Sequence, residues 1–552
     1  LLVFEAGIKK IDMHWNARRK IPMCGICGFM DDDEVPLSDN LEMLSRIRHR
    51  GPDQVGVYLD GDTRVGVRIA DLQFRSVKGC LSLAQARLDI IGGKDGVQPI
   101  SGESLTLVHN GEIYNHTELR KLLLHKEMGS ESDSEILLHI IEEYYEGDLV
   151  QAVQTAMPLL DGMYALAVTD GRTLVLARDP IGKKPLYYTD GFPFYFASER
   201  KALLKGNGEI RRLLPGKVAE IKKNTVKIHD GYEIEKPPIE INDMAEALDA
   251  YERAFDRSMD KRTYGLNRVG VLFSGGIDSV LVARALQLRG LIVTCYTVGT
   301  EGSSDTETAI KAARELGLNI KVEYLTENLI RENLADVIEA IELNGLLQVE
   351  VAIPMYLAVK KCREDGHKVM FSGQAADELF AGYTWYRDVV KEHGHLILHS
   401  KLWEDLDRLY EDTLEREDRL SMAHSIEIRV PFLDRELIRT AMRIAPHLKI
   451  NNAEDVYGKR VHRELSLRKG IPREFAYRKK SPAQEGSGIH DLIEAIAAKH
   501  FRGKIVKETK LLDFGSNFRY LGNHYGTPEM TALLSEVTEK NNLQFIAGSG
   551  EN

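Results

Sequence analysis

Cysteine is sparse in this chain. Five residues (Cys24, Cys27, Cys80, Cys295 and Cys362) among 552 form an odd set, too thin for a disulfide framework and in keeping with a reducing cytosol. A positive charge balance is lacking too. The formal net charge of −11 offers no basic field to neutralise a phosphate backbone, which argues against nonspecific nucleic-acid binding and favours small-molecule chemistry. No run of about 18 uninterrupted apolar residues exists, so no membrane partner is expected. Gly-x-x-x-x-Gly-Lys-Ser/Thr is also missing, which excludes a Walker-type γ-phosphoryl transfer site. The first 22 residues lack an initiator Met and lack the apolar stretch with small residues behind it that a secretory signal needs. Residues 1–23 are therefore expected to be an extension or propeptide, Met23 to be the working start, and the cytoplasm to be the location. Internal repeats and low-complexity tracts are absent.

What is present fits an ordinary globular protein: 43% hydrophobic and 28% charged residues. At roughly 100 to 200 residues per domain, the length implies two or more domains. From Cys24 to about Pro215 short strand patterns dominate, as in Leu105 to His109, Tyr164 to Val168, Thr173 to Ala177 and Phe194 to Ala197. Helical periodicity appears at Leu119 to Leu124 and Ile136 to Tyr144, so an α+β domain is expected over 24–215. A polar stretch follows and predicts a linker over 216–244. Beyond it the pattern changes to strand, glycine-rich loop, helix, strand: Val269 to Phe273, Ser274-Gly275-Gly276, Val280 to Leu288, Leu291 to Val298. Such alternation predicts a parallel sheet with crossover helices over 245–510, with loops at the carboxyl ends of strands, where open α/β sheets bind ligands. Residues 511–552 are expected to be a C-terminal tail.

Two motifs carry chemistry. The first is Met23-Cys24-Gly25-Ile26-Cys27-Gly28. A thiol with an unperturbed pKa of about 8.5 needs a base. Removal of Met23 would supply one, because the α-amine of Cys24 could then accept the thiol proton. Cys24 and Cys27 also read as a CxxC metal or redox pair, although no second CxxC or His-x-His partner accompanies them. The second motif is Ser274-Gly275-Gly276-Ile277-Asp278-Ser279, which on a strand-to-helix junction would offer backbone N–H groups and hydroxyls to a phosphate chain. A capped helix start is its plainer reading.

The first motif is followed in order by His49-Arg50-Gly51-Pro52-Asp53, Gln85-Ala86-Arg87-Leu88-Asp89-Ile90, Asn110-Gly111-Glu112-Ile113-Tyr114-Asn115 and Ser132-Asp133-Ser134-Glu135, and so resembles the class II glutamine amidotransferases. The resemblance implies an N-terminal nucleophile (Ntn) hydrolase αββα sandwich. It makes Cys24 the nucleophile, with Asn110 and the Gly111 N–H as the oxyanion hole. Arg87 would grip the glutamine α-carboxylate and Asp133 its α-ammonium, with Leu88, Ile91 and Glu112 completing the pocket. The second motif resembles the PP-loop of ATP pyrophosphatases. With Ser372-Gly373, Asp377-Glu378-Leu379-Phe380-Ala381-Gly382-Tyr383, Glu427 to Asp434 and Arg478-Lys479-Lys480, the second half looks like the synthetase half of glutamine-dependent asparagine synthetases.

That likeness implies ATP as co-substrate on Leu272, Ser274, Gly275, Gly276, Asp278, Ser279, Val298, Ser372 and Gly373. It implies Mg²⁺ on Asp278 and Asp377, and Lys480 neutralising the adenylate or pyrophosphate. Glutamine and aspartate would be the other substrates, ammonia would travel by an internal passage, and a homodimer is one assembly the resemblance allows. Two positions depart from the family pattern. Gln374 stands where bacterial members have Glu, and Glu350 where they have Arg, so an amidotransferase acting on another carboxylate is the alternative. A catalytically silent binding protein is a further rival, suggested by the residues in front of Cys24.

Overall fold

The computed structural model describes residues 24–87, 97–130, 132–203, 207–479, 483–502 and 526–543. The chain divides into two compact units, the first running to Glu233 and also taking in Met422–Ser425, the second beginning at Ile234.

The first unit holds thirteen strands: β1 (Gly25–Pro36), β2 (Gln54–Leu59), β3 (Asp62–Gly66), β4 (Lys78–Arg87), β5 (Ile100–Ser101), β6 (Thr106–Ile113), β7 (Gly162–Thr169), β8 (Leu174–Arg178), β9 (Tyr187–Thr189), β10 (Phe194–Ala197), β11 (Ile210–Arg212), β12 (Lys217–Lys222) and β13 (Thr225–Asp230). They form a seven-stranded sheet ordered β11-β9-β10-β1-β4-β2-β3 and a six-stranded sheet ordered β13-β12-β8-β7-β6-β5. Strand alternation sorts the apolar residues into three layers. Ile26, Leu83, Val108, Ala165 and Leu176 pack between the sheets. Cys27, Phe29 and Val57 face the helix α1 (Leu37–Arg46). Leu107, Tyr164 and Val175 face the helices α2 (Asp133–Glu143) and α3 (Leu149–Ala156). The result is the expected αββα sandwich.

Two boundaries differ from the sequence reading. Much of the stretch expected as a linker over 216–244 is sheet, since β12 pairs with both β8 and β13. Its polar composition follows from position: β13 is an edge strand, and Lys, His and Asp on an edge deter further pairing. Within the expected tail, the helix Pro528–Lys540 buries Met530, Leu533 and Leu534.

The second unit carries a five-stranded sheet of β14 (Arg268–Leu272), β15 (Ile292–Gly299), β16 (Asn319–Tyr324), β17 (Val369–Phe371) and β18 (Glu427–Arg429), ordered β16-β15-β14-β17-β18. Every pairing in it is parallel. Four of its helices frame the site: α4 (Ile277–Leu288), α5 (Ser304–Leu316), α6 (Leu346–Glu364) and α7 (Ala376–Phe380). α6 packs so closely on the sheet that a side chain at Gly270 of β14 would meet the Cys362 sulfur at 2.4 Å. Cys362 is thus a packing residue, and burial raises its thiol pKa along with that of Cys295.

One buried residue of this unit is destabilising. Lys449 is fully buried and, among the described residues, its ammonium reaches only the Met442 sulfur, at 3.6 Å. Burial lowers it from 10.5 to about 7. The unfolded chain therefore holds this proton up to about pH 10.5 while the folded chain releases it above 7, so stability rises with pH across that window and the full penalty applies below it. Lys449→Met should stabilise the fold at neutral pH by on the order of 4 kcal/mol. Thermal denaturation from pH 6 to 10 checks this: the wild type should gain stability with pH relative to the variant, and parallel pH profiles would reject it.

Candidate active sites

Cys24 immediately precedes β1 and is partly exposed. Its carbonyl accepts a 3.1 Å hydrogen bond from Nε of Arg50. Arg50 is fully buried and its Nη1 donates to Glu199 at 2.7 Å, where His49 (3.1 Å) and Lys201 (2.9 Å) also converge. Burial would raise the Glu199 carboxyl, but His49, Lys201 and Arg50 outweigh it and hold the group well below the usual carboxylate range. Removing one partner of such a pair costs about 3 to 5 kcal/mol, so the start of β1 is firmly held. Ser198 adds a second clamp, donating its N–H to the Ile26 carbonyl and accepting the Ile26 N–H on Oγ, both at 3.0 Å. Cys27 points to the opposite face, donating to Asn40 Oδ1 at 3.2 Å, with its pKa raised by burial. The two thiols of the CxxC thus serve different environments, and no metal-binding group of three or more His, Cys, Asp or Glu occurs among the described residues.

The other predicted glutaminase residues are linked to Cys24 strand by strand. Gly25 pairs with Ala86, beside Arg87 at the end of β4. Arg87 is buried and donates to Gln54 Oε1 at 2.7 Å. Gln85 reaches across to the other sheet, its amide donating to the His109 carbonyl at 2.7 Å. Asn110 and Gly111 follow on β6, within a strand and not at a hairpin turn. Asn110 is 1% exposed, and its Nδ2 donor has no hydrogen-bond partner among the described residues. An orphaned buried donor costs on the order of 1 to 3 kcal/mol and calls for an explanation, and an absent anionic oxygen supplies one.

Gly111 has φ +149, and a side chain there would meet the Met163 carbonyl oxygen at 1.9 Å, so only glycine fits. Tyr164, opposite it in register, donates its N–H to Asp179 Oδ2 at 3.2 Å and accepts the Asp179 N–H on its carbonyl at 2.9 Å. Asp133, at the start of α2, accepts the Ile113 N–H at 2.9 Å, and Glu112, the residue before Ile113, is buried. Leu88 and Ile91 lie outside the described residues.

In the second unit, the loop after β14 enters α4 at Gly276, and no side chain caps this helix end, leaving its first-turn N–H groups for another acceptor. Gly275 has φ +71 and lies so close to α5 that a side chain would meet the Ala309 nitrogen at 2.6 Å. Ser274 Oγ accepts the Gly276 N–H at 3.3 Å and Ser279 Oγ donates to the Gly276 carbonyl at 2.9 Å. The loop after the neighbouring strand β17 meets this one: a side chain at Gly373 would lie 2.8 Å from Asp278 Cβ and 3.0 Å from the Ser279 nitrogen. Ser372 is buried, donating its backbone N–H to the Arg429 carbonyl at 3.1 Å and accepting the Gln374 N–H on Oγ at 3.2 Å. Leu272 ends β14, and Val298 stands one residue before the end of β15. The predicted ATP-binding residues therefore gather at the carboxyl end of the parallel strands, while Lys480 lies outside the described residues.

Asp278 and Asp377 converge on a single cation that sequence reasoning did not select. Lys459 Nζ lies 2.6 Å from both Asp278 oxygens and 2.9 Å from Asp377 Oδ1. His462 Nε2 is 3.1 Å from Asp278, and its Nδ1 meets the Tyr251 hydroxyl at 2.8 Å. Burial would raise the Asp278 carboxyl, but Lys459 and His462 hold it well below its ordinary range. Two hard carboxylates within reach of one point fit a Mg²⁺ ion, which takes one or two such ligands and completes its shell with phosphate and water.

Comparison with known proteins agrees with both halves. Residues 67–231 match a family model described as glutamine amidotransferase domain, and residues 250–397 and 390–521 match one described as asparagine synthase. The glutamine-hydrolysing asparagine synthetase 1 of Arabidopsis thaliana is 31% identical over 514 residues, spanning 88% of this chain and 82% of its own. A provisionally named glutamine-hydrolysing asparagine synthetase 1 of Methanocaldococcus jannaschii is 35% identical over 545 residues, spanning 88% of this chain and 98% of its own. A glutamine-hydrolysing asparagine synthetase of Sandersonia aurantiaca is 30% identical over 517 residues, spanning 88% of this chain and 91% of its own. The chain therefore belongs to the family of glutamine-hydrolysing asparagine synthetases.

Proposed function

We propose that this chain makes asparagine from aspartate, using ATP to activate the side-chain carboxylate and glutamine as the nitrogen source. The observation that carries the reading is the orphaned Asn110 donor, buried beside a glycine no other residue could replace. With residues 1–23 removed, the Cys24 α-amine takes the thiol proton and the sulfur attacks the glutamine amide carbon. The oxyanion that forms is met by Asn110 Nδ2 and the Gly111 N–H, donors each worth about 2.7 to 4 kcal/mol in such sites. The developing ammonia leaves with a proton, and water then releases glutamate from the thioester. Arg87 and Asp133 hold the α-carboxylate and α-ammonium of glutamine.

In the second half the triphosphate lies over Ser274 to Ser279, with Leu272 and Val298 beside the adenosine and Ser372 and Gly373 beside the α-phosphate. Asp278 and Asp377 would hold Mg²⁺, which neutralises phosphate charge. The aspartate carboxylate attacks the α-phosphorus, pyrophosphate departs, with Lys480 neutralising the charge, and ammonia displaces AMP from the β-aspartyl adenylate. Purified protein given aspartate, ATP, Mg²⁺ and glutamine should yield asparagine, AMP, pyrophosphate and glutamate in equal amounts. ADP in place of AMP would sink the proposal. Amino-terminal sequencing of native protein should begin at Cys24, and a retained Leu1 in fully active enzyme would exclude the α-amine as base.

One observation favours a second reading, amidation of a different carboxylate. Glu350 is fully buried near the start of α6, and His490 Nδ1 is 2.8 Å from it. α6 leads into β17, so its amino-terminal end lies toward the carboxyl end of the strands, as the two loops do. A buried carboxylate there, where bacterial members have Arg, suits a cationic group of the acceptor in place of an anionic one. Glu350→Gln should raise KM for the acceptor about tenfold while KM for ATP stays within about twofold, because a charge-assisted hydrogen bond contributes 1.5 to 3 kcal/mol. A screen of carboxylic acids that follows pyrophosphate release decides between aspartate and another acceptor.

A further inference from the structure

We propose that Lys459 is a resident counter-cation, holding the Asp278 and Asp377 carboxylates at the position of a divalent ion and yielding it only when the metal arrives with nucleotide. The inference rests on the nucleotide reading above and adds a positioning residue to it.

The geometry is built for this occupancy. Lys459 is 2% exposed, and its ammonium touches both carboxylates at 2.6 to 2.9 Å. Space for the lysine arm is made by Gly382, where a side chain would fall 1.9 Å from Asp377 Oδ1 and 2.0 Å from Lys459 Cε. The lysine backbone sits in the left-handed region, φ 51, and the next residue is anchored by the Arg460 N–H donating to the Lys449 carbonyl at 2.8 Å. Ala375 (φ 74) and Ala381 (φ 59), which flank Asp377, share that sparsely populated conformation. Such backbone positions persist because the surroundings fix them, so exchange at this site falls to the flexible lysine arm.

The electrostatics make occupancy exclusive. Without a cation, two carboxylates this close would repel and one would take up a proton. Mg²⁺ bonds oxygen at about 2.0 to 2.1 Å, so an ammonium left on the same oxygens would sit roughly 3 to 4 Å from a double positive charge. The ammonium must therefore leave as the metal enters. A bare metal ion gives it nowhere favourable to go, whereas a metal-bound polyphosphate brings negative oxygens within reach of the displaced arm. Metal binding thereby becomes conditional on nucleotide.

Mn²⁺ binding to the full chain, read as loss of the free-ion electron paramagnetic resonance signal, tests this without turnover. Wild type should bind Mn²⁺ weakly alone and tightly with α,β-methylene-ATP. Lys459→Met should bind Mn²⁺ alone about tenfold or more tighter than wild type, and adding Asp278→Asn should abolish that gain. Lys459→Arg, which keeps the charge, should stay weak. Lys459→Gln replaces the Met variant if circular dichroism shows the latter unfolded. An unchanged or weaker Mn²⁺ affinity in the charge-removing variant overturns the inference alone. Absence of tight Mn²⁺ binding by wild type with the nucleotide analogue overturns the nucleotide reading and the inference together.

Discussion

Cys24→Ala should abolish glutamine-dependent synthesis, by at least about three orders of magnitude, and leave ammonia-dependent synthesis within about twofold of wild type. In the proposed mechanism the sulfur is the atom that forms the covalent intermediate, so no neighbouring group substitutes for it. The proposed carboxylate-activating site draws its described residues from the second unit, on the loops after β14 and β17, and should keep its geometry. Parallel assays with glutamine and with ammonium salts check both halves of the statement. Ammonia-dependent activity that falls in step with glutamine use would show that Cys24 matters to the second site as well.

Asp278→Ala should stop both routes, lowering activity with either nitrogen source by about a thousandfold or more, since in the proposed mechanism it removes one of the two carboxylates that would hold Mg²⁺ against the phosphates. The change also leaves Lys459, buried and still charged, with Asp377 as its one remaining carboxylate of the pair. Some loss of thermal stability should accompany it, which Asp278→Asn, of similar shape, separates from the catalytic loss. Glutaminase activity measured alone should persist. Asparagine formation near the wild-type rate in the Asp278→Asn protein would remove Asp278 from the mechanism.

The parts of this molecule legible in sequence are those where local pattern and chemistry coincide. Ser274-Gly275-Gly276 lies between a strand and a helix whose periodicities differ, and the structure has the loop at that junction. Asn110-Gly111 was less transparent. The same dipeptide makes hairpin turns, and only the crowding of Met163 against Gly111 reveals a strand position that excludes any side chain. The short edge strand β13 escaped notice because exposure on an edge selects the same polar residues as a linker does. Lys459 carries no local signal at all: its partner Asp278 is 181 positions away and the pair exists only once the sheet has formed. The buried bond between Arg50 and Glu199 spans 149 positions and was equally invisible, although Arg50 itself stands in a motif.

The most direct test of the account follows one nitrogen atom. Glutamine carrying a heavy-nitrogen label in its side-chain amide, supplied with aspartate, Mg²⁺ and ATP, should deliver that label to the asparagine side chain, with one AMP formed per asparagine. Label that stays in free ammonia while AMP never forms would contradict the claim that this chain couples amide hydrolysis to adenylation of a carboxylate.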